Sequence, residues 1–297
     1  MDREIVVQDP NKPPICVVKS PLKWAGGKSR LIKPIWEAAP KRQGRWVEPF
    51  VGSGVVSMNM FHCKEHIWVD NNPDLINFYQ VMKLNQFEII EEIRKLFVPQ
   101  NNTLEQYILL REEFNQLLLT NETDSLRKAA LFVYLNRHGF NGLCRYNNKG
   151  QFNVSFGSYR KPYFPGKELR YLSWTLHGVN ELHCGDFEQA FRLLKSGDVV
   201  YCDPPYTPLS TTANFTKYSK NPFTHEDHER LVRCAEKARE RGVTTLISNH
   251  FISKSFTEEV LYPTADDYEV HELTRPINRD ASKRSHKVQE LLISYRG

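Results

Sequence analysis

No two of the six cysteines (16, 63, 144, 184, 202 and 234) make a C-x-x-C pair, which argues against a zinc site and against a disulfide framework. Reduced thiols in a cytoplasmic protein are the expectation, with no metal. No stretch approaches the roughly 18 consecutive apolar residues of a membrane span. The opening Met-Asp-Arg-Glu has no secretory pattern, so a soluble, intracellular chain is expected. A strong excess of either charge is also missing: 40 Lys and Arg stand against 35 Asp and Glu, for a net +5. Where the charge lies therefore matters more than its total. What remains is 297 residues, 40% apolar and 25% charged, enough for one large globular domain or a core domain with an insertion.

The chain holds one unusually rigid stretch, Asp203-Pro204-Pro205-Tyr206, directly after the apolar run Val199-Val200-Tyr201-Cys202. The run reads as a short buried strand. Proline offers no N–H, fixes φ, and biases the preceding residue to an extended shape. The Asp203 carboxylate and the Pro204 carbonyl are then acceptors with few local donors, beside the ring of Tyr206. Such a loop suits a planar molecule carrying an amino group, although any strand-ending loop would share much of this pattern.

Other stretches narrow the choice. Gly26-Gly27 lets backbone approach a ligand closely before a helix predicted from about Lys28. Gly27-Lys28-Ser29 is not a P-loop tail, because Leu22 stands where that motif needs glycine and no strand precedes it. Trp46–Phe50 reads as a strand running into Val51-Gly52-Ser53-Gly54, with a helix predicted from Val55. This is the first strand–turn–helix unit of a doubly wound α/β sheet. A second strand, His66–Val69, ends in Asp70, 18 residues after Gly52, a spacing that lets a carboxylate accept from ribose hydroxyls. An N-cap or turn role for Asp70 is the simpler alternative.

From Asn72 to about Leu135 the periodicity is helical and the apolar stripes read as packing surfaces. Between Asn136 and Arg170 lie seven Lys or Arg and one acid, Glu168, interleaved with Phe140, Tyr146, Phe152, Phe156, Tyr159, Tyr163 and Phe164. Cations suit phosphates and exposed rings suit bases. Asn141, Asn147, Asn148 and Asn153 could read base edges. Some of the rings must instead pack the turns at 141–142 and 148–150. The sheet resumes at Glu181–Cys184 and again at Asp198–Tyr206. Residues 207–223 read as a loop over the site, and Thr224 caps a helix that ends at Gly242. Strands follow at Thr244–Ser248, Tyr268–Leu273 and Gln289–Tyr295. Between the last two, the basic stretch Arg275–Lys287 is either solvated surface or a second DNA-facing element.

Taken together, Leu22–Lys28, Val47–Gly54, Leu135–Asn147, Tyr201–Tyr206, Thr212–Phe215 and Ile247–His250 resemble the motifs of Dam-type DNA adenine N6-methyltransferases, in that family's order. The resemblance covers nearly everything from Pro21 onward. It implies a Rossmann-like, seven-stranded α/β sheet that binds S-adenosylmethionine, formed by residues 20–72 and 166–297. A mainly helical target-recognition domain, 73–165, would be inserted in it, with 1–19 as an extension. It implies S-adenosylmethionine as methyl donor and duplex DNA containing GATC as partner, for a monomer in bacterial or phage cytoplasm. Matched residue by residue, Trp24, Lys28, Phe50, Gly52, Asp70, Asp186, Phe187 and Asp203 correspond to cofactor positions. Asp203, Pro204 and Tyr206 correspond to the catalytic loop. Lys23, Arg137, Phe140, Asn141, Leu143, Arg145, Asn147 and Ser155 fall in the DNA-reading set. Phe140 stands where the family often has Tyr, which keeps the ring, and Ser155 where it commonly has Pro, which removes an apolar contact. The rivals are a methylase of RNA or of a protein glutamine, and a DNA-binding regulator that keeps the fold without the chemistry.

Overall fold

A computed structural model describes residues 16–41, 44–119, 121–205, 223–251, 253, 256–276 and 285–297. Tyr206, the 207–222 loop with its Thr212–Phe215 motif, and residues 277–284 of the basic stretch lie outside the described residues.

Seven strands form one sheet: β1 (Trp46–Glu48), β2 (His66–Asp70), β3 (Val179–Cys184), β4 (Val199–Cys202), β5 (Thr244–His250), β6 (Asp267–Pro276) and β7 (Ser285–Tyr295). Their order is β3-β2-β1-β4-β5-β7-β6. The first five run parallel, while β7 lies antiparallel between β5 and β6. A parallel sheet covered on both faces wants strands that are apolar throughout, and β4, Val-Val-Tyr-Cys, is buried at every position. The strand order reverses between β1 and β4. Loops at the carboxyl ends of those neighbours splay apart and leave a crevice. Gly52, Asp70 and Asp203 all follow or end strands at that rim.

Helix α1 (Ile32–Ala38) covers one face through Leu31, Ile32, Ile35 and Trp36, packed with Trp46, Tyr201, Leu246 and Leu292. The same face continues over β2 into α2 (Pro73–Leu84), α3 (Gln86–Leu96), α4 (Leu104–Gln116), α5 (Glu122–His138) and α6 (Gly166–His177). The opposite face carries α7 (Glu188–Arg192) and α8 (His225–Glu240), which bury Val47, Ile67, Val69, Val200, Cys202 and Ile247. Local chemistry fixes the helix ends. Asn72 caps α2 by accepting from Asp74 N and Leu75 N, with Pro73 in the first turn. Thr224 and Asp227 close a reciprocal capping box on α8. No helix among the described residues is long and apolar enough to cross a membrane.

Two expected helices differ. The first begins at Ile32 rather than Lys28, with Lys28 in the turn before it. The helix expected from Val55 is only a 3₁₀ turn, Ser57–Asn59. Asn59 explains this. Its side-chain Nδ2 donates to Val55 O at 2.7 Å, the carbonyl an α-helix would give to the Asn59 backbone N–H, which bonds Val56 O instead. The same side chain ties down the backbone of Val18 through both of its atoms. A local side-chain acceptor or donor of this kind competes directly with helix propagation.

Candidate active site

The glycine turn after β1 is held from three sides. Gly52 has φ +47°, the left-handed region that glycine enters without steric cost. Its N–H donates to Asp70 Oδ2 at 3.0 Å, and its carbonyl accepts from Tyr79 OH at 2.5 Å. A Cβ on Gly52 would lie 2.7 Å from Trp24 Nε1, so the Trp24 indole lies directly against this bare backbone. Asp70 spends its other oxygen, Oδ1, on Asn72 N at 3.0 Å, linking the turn to the cap of α2. Burial raises the Asp70 pKa, and the Gly52 and Asn72 donors oppose that rise. Phe50 and Phe187 meet at 5.3 Å between ring centroids, with Phe223 beside both. Asp186 is exposed, and its Oδ1 accepts from Arg230 at 2.9 Å and from Glu188 N at 2.9 Å. The sequence-derived cofactor residues Trp24, Gly52 and Asp70 thus form one contiguous patch. Phe50, Asp186 and Phe187 form a second.

Asp203 stands just past β4. Its Oδ1 pairs with Lys28 Nζ at 2.8 Å and accepts from Ser248 Oγ at 3.1 Å. Lys28 is 3% exposed and also donates to Gly26 O at 2.9 Å; Asp203 stays 26% exposed. Burial raises the Asp203 pKa most, Lys28 and Ser248 lower it, and Glu290 raises it. Pro204 is buried and Pro205 exposed, so the loop is anchored at its first proline. Under this rim on the α1 face lies Glu48, fully buried and raised to about 7 by burial, although Trp46 Nε1 (2.9 Å) and Ser57 Oγ both donate to it. Asp203 and Glu290 stand near one another beside the ammonium of Lys28, with Glu48 beneath, an acceptor-rich set that suits a guest with positive charge. Bare glycine backbone, a carboxylate at ribose distance along the chain, a ring cluster and this acidic floor together fit a cationic nucleoside cofactor.

The basic insert separates into packing and surface. Phe152 is buried. Phe156 packs on Tyr107, Phe164 packs on Phe97, and Tyr146 OH reaches Asp74 Oδ2 at 2.8 Å. Phe140 and Tyr163 are exposed. Asn141 has φ +53°, followed by Gly142 at +65°, and its N–H donates to Tyr159 OH at 2.9 Å. The Tyr159 ring in turn lies 4.0 Å from Lys23 Nζ. Lys23 comes from the segment before α1, yet it meets the insert through Asn136. That buried amide accepts from Lys23 N (2.8 Å) and donates to Lys23 O (2.8 Å) and Gly142 O (3.1 Å). Arg145 is pre-oriented by Asn153, with Nε to Oδ1 at 2.9 Å and Nη2 to O at 3.1 Å. Asn147 holds its own turn by accepting from Lys149 N and Gln151 N. Arg137 donates to Tyr163 O, Leu143 is half-buried against the helical core, and the carbonyl of exposed Ser155 accepts from Phe140 N.

Sequence reasoning did not single out Asn136, Tyr79, Glu48 or Ser248. Asn136, Tyr79 and Ser248 act across long chain separations that no local spacing reveals, and Glu48, bonded by nearby Trp46 and Ser57, is marked only by its burial. Asn136 allows a direct check. Asn136→Leu leaves the N–H and C=O of Lys23 and the C=O of Gly142 without their partner, each worth about 1–3 kcal/mol when buried and less than additive together. Urea unfolding is expected to show a loss of at least about 2 kcal/mol; an unchanged midpoint would mean these bonds contribute nothing net.

Among the described residues, no group of His, Cys, Asp and Glu is placed to hold a metal ion. The fold and rim define a doubly wound α/β protein whose switch point is lined by bare glycine backbone and by the carboxylates of Asp70 and Asp203. Residues 24–275 match the D12 class N6 adenine-specific DNA methyltransferases, and the chain belongs to that family. It is 45% identical over 272 residues to the DNA adenine methylase of Vibrio cholerae, covering 91% of this chain and 94% of the relative. It is 43% identical over 275 residues to the DNA adenine methylase of Escherichia coli (93% and 94% covered). The DNA adenine methylase of Serratia marcescens matches at 43% over 276 residues (93% and 97%). The enzyme is an adenine-specific DNA methyltransferase.

Proposed function

We propose that this enzyme methylates N6 of the adenine in GATC within duplex DNA, acting on a base rotated out of the helix. The observation that carries the reading is the Asp203 carboxylate, fixed at the end of β4 by Lys28 and Ser248 while part of it stays exposed beside the cofactor patch. Trp24, Lys28, Phe50, Gly52, Asp70, Asp186, Phe187 and Asp203 would hold S-adenosylmethionine, which supplies a methyl group already activated on its sulfonium.

The chain's own task is to prepare the amine. The N6 lone pair of adenine is delocalised into the ring and is a poor nucleophile. Asp203 and the Pro204 carbonyl accept the two N6 hydrogens, which draws the nitrogen towards tetrahedral geometry and exposes its lone pair. Tyr206, outside the described residues, is assigned the stacking face for the flipped ring. Extrusion costs a few kcal/mol of pairing and stacking. Fixed orientation and fixed acceptors then supply most of the acceleration.

We assign residues 73–165 to target recognition. Lys23, Leu143 and Arg145 would read bases, Phe140 and Asn141 would fill space near the flipped nucleotide, and Arg137, Asn147 and Ser155 would line the contact. The rigid fork of Arg145, held by Asn153, favours a bidentate base contact. Arg145→Ala is expected to lose about 1–3 kcal/mol of discrimination at the base it reads. The check is kcat/KM on GATC against duplexes changed at one position; undiminished selectivity would remove Arg145 from the readers. A 2-aminopurine in place of the target adenine tests extrusion, with a rise in fluorescence expected on binding and no change if the base stays stacked.

A further inference from the structure

We propose that Ser248, backed by Tyr201, is a positioning residue that fixes the Asp203 carboxylate as a hydrogen-bond acceptor for the reacting amine. This rests on the reading of Asp203 given above and deepens it. Tyr201 is on β4 and Ser248 on β5, with Tyr201 paired to Leu246 and Cys202 to Ile247. Alternation of side chains then sends Tyr201, Asp203, Leu246 and Ser248 to the same face of the sheet. The contacts agree. Tyr201 OH and Ser248 Oγ are 2.9 Å apart, and Ser248 Oγ is 3.1 Å from Asp203 Oδ1. Tyr201 is 1% exposed and Ser248 0%, so no bulk water replaces either hydroxyl.

Proton bookkeeping gives the row a direction. Ser248 has a single hydroxyl hydrogen, with Asp203 Oδ1 at 3.1 Å and Cys202 O at 3.5 Å as acceptors. When it goes to the nearer Asp203, Tyr201 is the donor to Ser248. The row then runs Tyr201 to Ser248 to Asp203, whose ionised carboxylate offers only acceptor sites. A protonated Asp203 would turn one acceptor into a donor and could no longer take an N6 hydrogen there. The surrounding groups make this support necessary. Glu48 on β1 and Glu290 on β7 lie on the same face and disfavour a further negative charge. His250 Nδ1 lies 4.0 Å from Glu290 Oε1, and Lys28 is the cation in direct contact with Asp203. Burial opposes the charge as well, so Lys28 and Ser248 together keep Asp203 in its working form. Neither hydroxyl belongs to the cofactor patch or to the DNA-facing insert.

Single-turnover methyl transfer, with S-adenosylmethionine and a GATC duplex both saturating, tests this as a function of pH in the full-length protein. Losing a donor to the carboxylate raises its pKa, so the acid limb of the rate profile moves to higher pH. Ser248→Ala is expected to move it by on the order of one pH unit, and Tyr201→Phe, which changes almost no volume, in the same direction by less. Binding of DNA, measured directly, stays at the wild-type level. A merely structural role would lower the rate at every pH and leave the limb in place. Asp203→Asn separates the layers. If it is inactive and neither hydroxyl variant shifts the limb, the relay is wrong and the Asp203 reading stands. If Asp203→Asn retains the wild-type rate and profile, the reading of Asp203 falls and the relay falls with it.

Discussion

Asp203→Ala is expected to abolish methyl transfer while DNA binding is largely retained. The expected loss in the transfer rate is at least about 10²–10³-fold, the usual effect of removing one preorganised electrostatic group from a reacting centre. Asp203 combines a fixed hydrogen-bonded oxygen with partial exposure just past the end of β4. Its removal also breaks the 2.8 Å ion pair to the Lys28 ammonium, which is 3% exposed. Breaking a buried pair by removing one partner costs up to about 3–5 kcal/mol, so the variant is expected to be less stable as well as inactive. Asp203→Asn keeps the shape and removes the charge, and is expected to share the loss of activity. Single-turnover kinetics and a mobility-shift assay on one GATC duplex read the two effects separately. Activity near wild type in both variants would remove Asp203 from the mechanism.

The second large effect is expected at Asp70. Its two oxygens anchor Gly52 N and Asn72 N, so the carboxylate shapes the glycine turn and the start of α2 at once. Asp70→Ala removes the Asp70 acceptor of the Gly52 amide, loosens the turn against Trp24, and takes away the acceptor proposed for a ribose. A charge-assisted hydrogen bond is worth about 1.5–3 kcal/mol. Affinity for S-adenosylmethionine is therefore expected to fall on the order of 100-fold, or about 2.7 kcal/mol. Isothermal titration with S-adenosylmethionine in the absence of DNA measures this, and unaltered affinity would leave Asp70 as a helix-capping device only.

Much of the rim was legible along the chain because its chemistry is local. Glycines at 52 and 54 announce a turn, the acid at the end of β2 follows one short crossover from that turn, and prolines after Asp203 stiffen their own loop. The sheet followed from runs such as Val199–Cys202 that only a two-sided core would accept. The remainder depends on partners far apart in sequence. Asn136 reaches Lys23 across 113 positions and Ser248 reaches Asp203 across 45, and neither neighbourhood carries a sign of the other. The rings of the insert show the same limit. Phe152 and Phe140 look alike in composition, yet one is a core plug and the other is exposed, a difference set by the helices packed beneath them. Asn59 is the converse case, where one polar side chain stopped a helix that the glycine turn led one to expect.

The identity of the methylated atom tests the whole reading most directly. A duplex with a single GATC, incubated with the enzyme and S-adenosylmethionine, is digested to nucleosides and analysed by mass spectrometry, beside a duplex in which that GATC is scrambled. N6-methyldeoxyadenosine at the GATC adenine of each strand, and none from the scrambled duplex, is the expected result. Methylation of cytosine, or of adenine at equal rates in both duplexes, would contradict it.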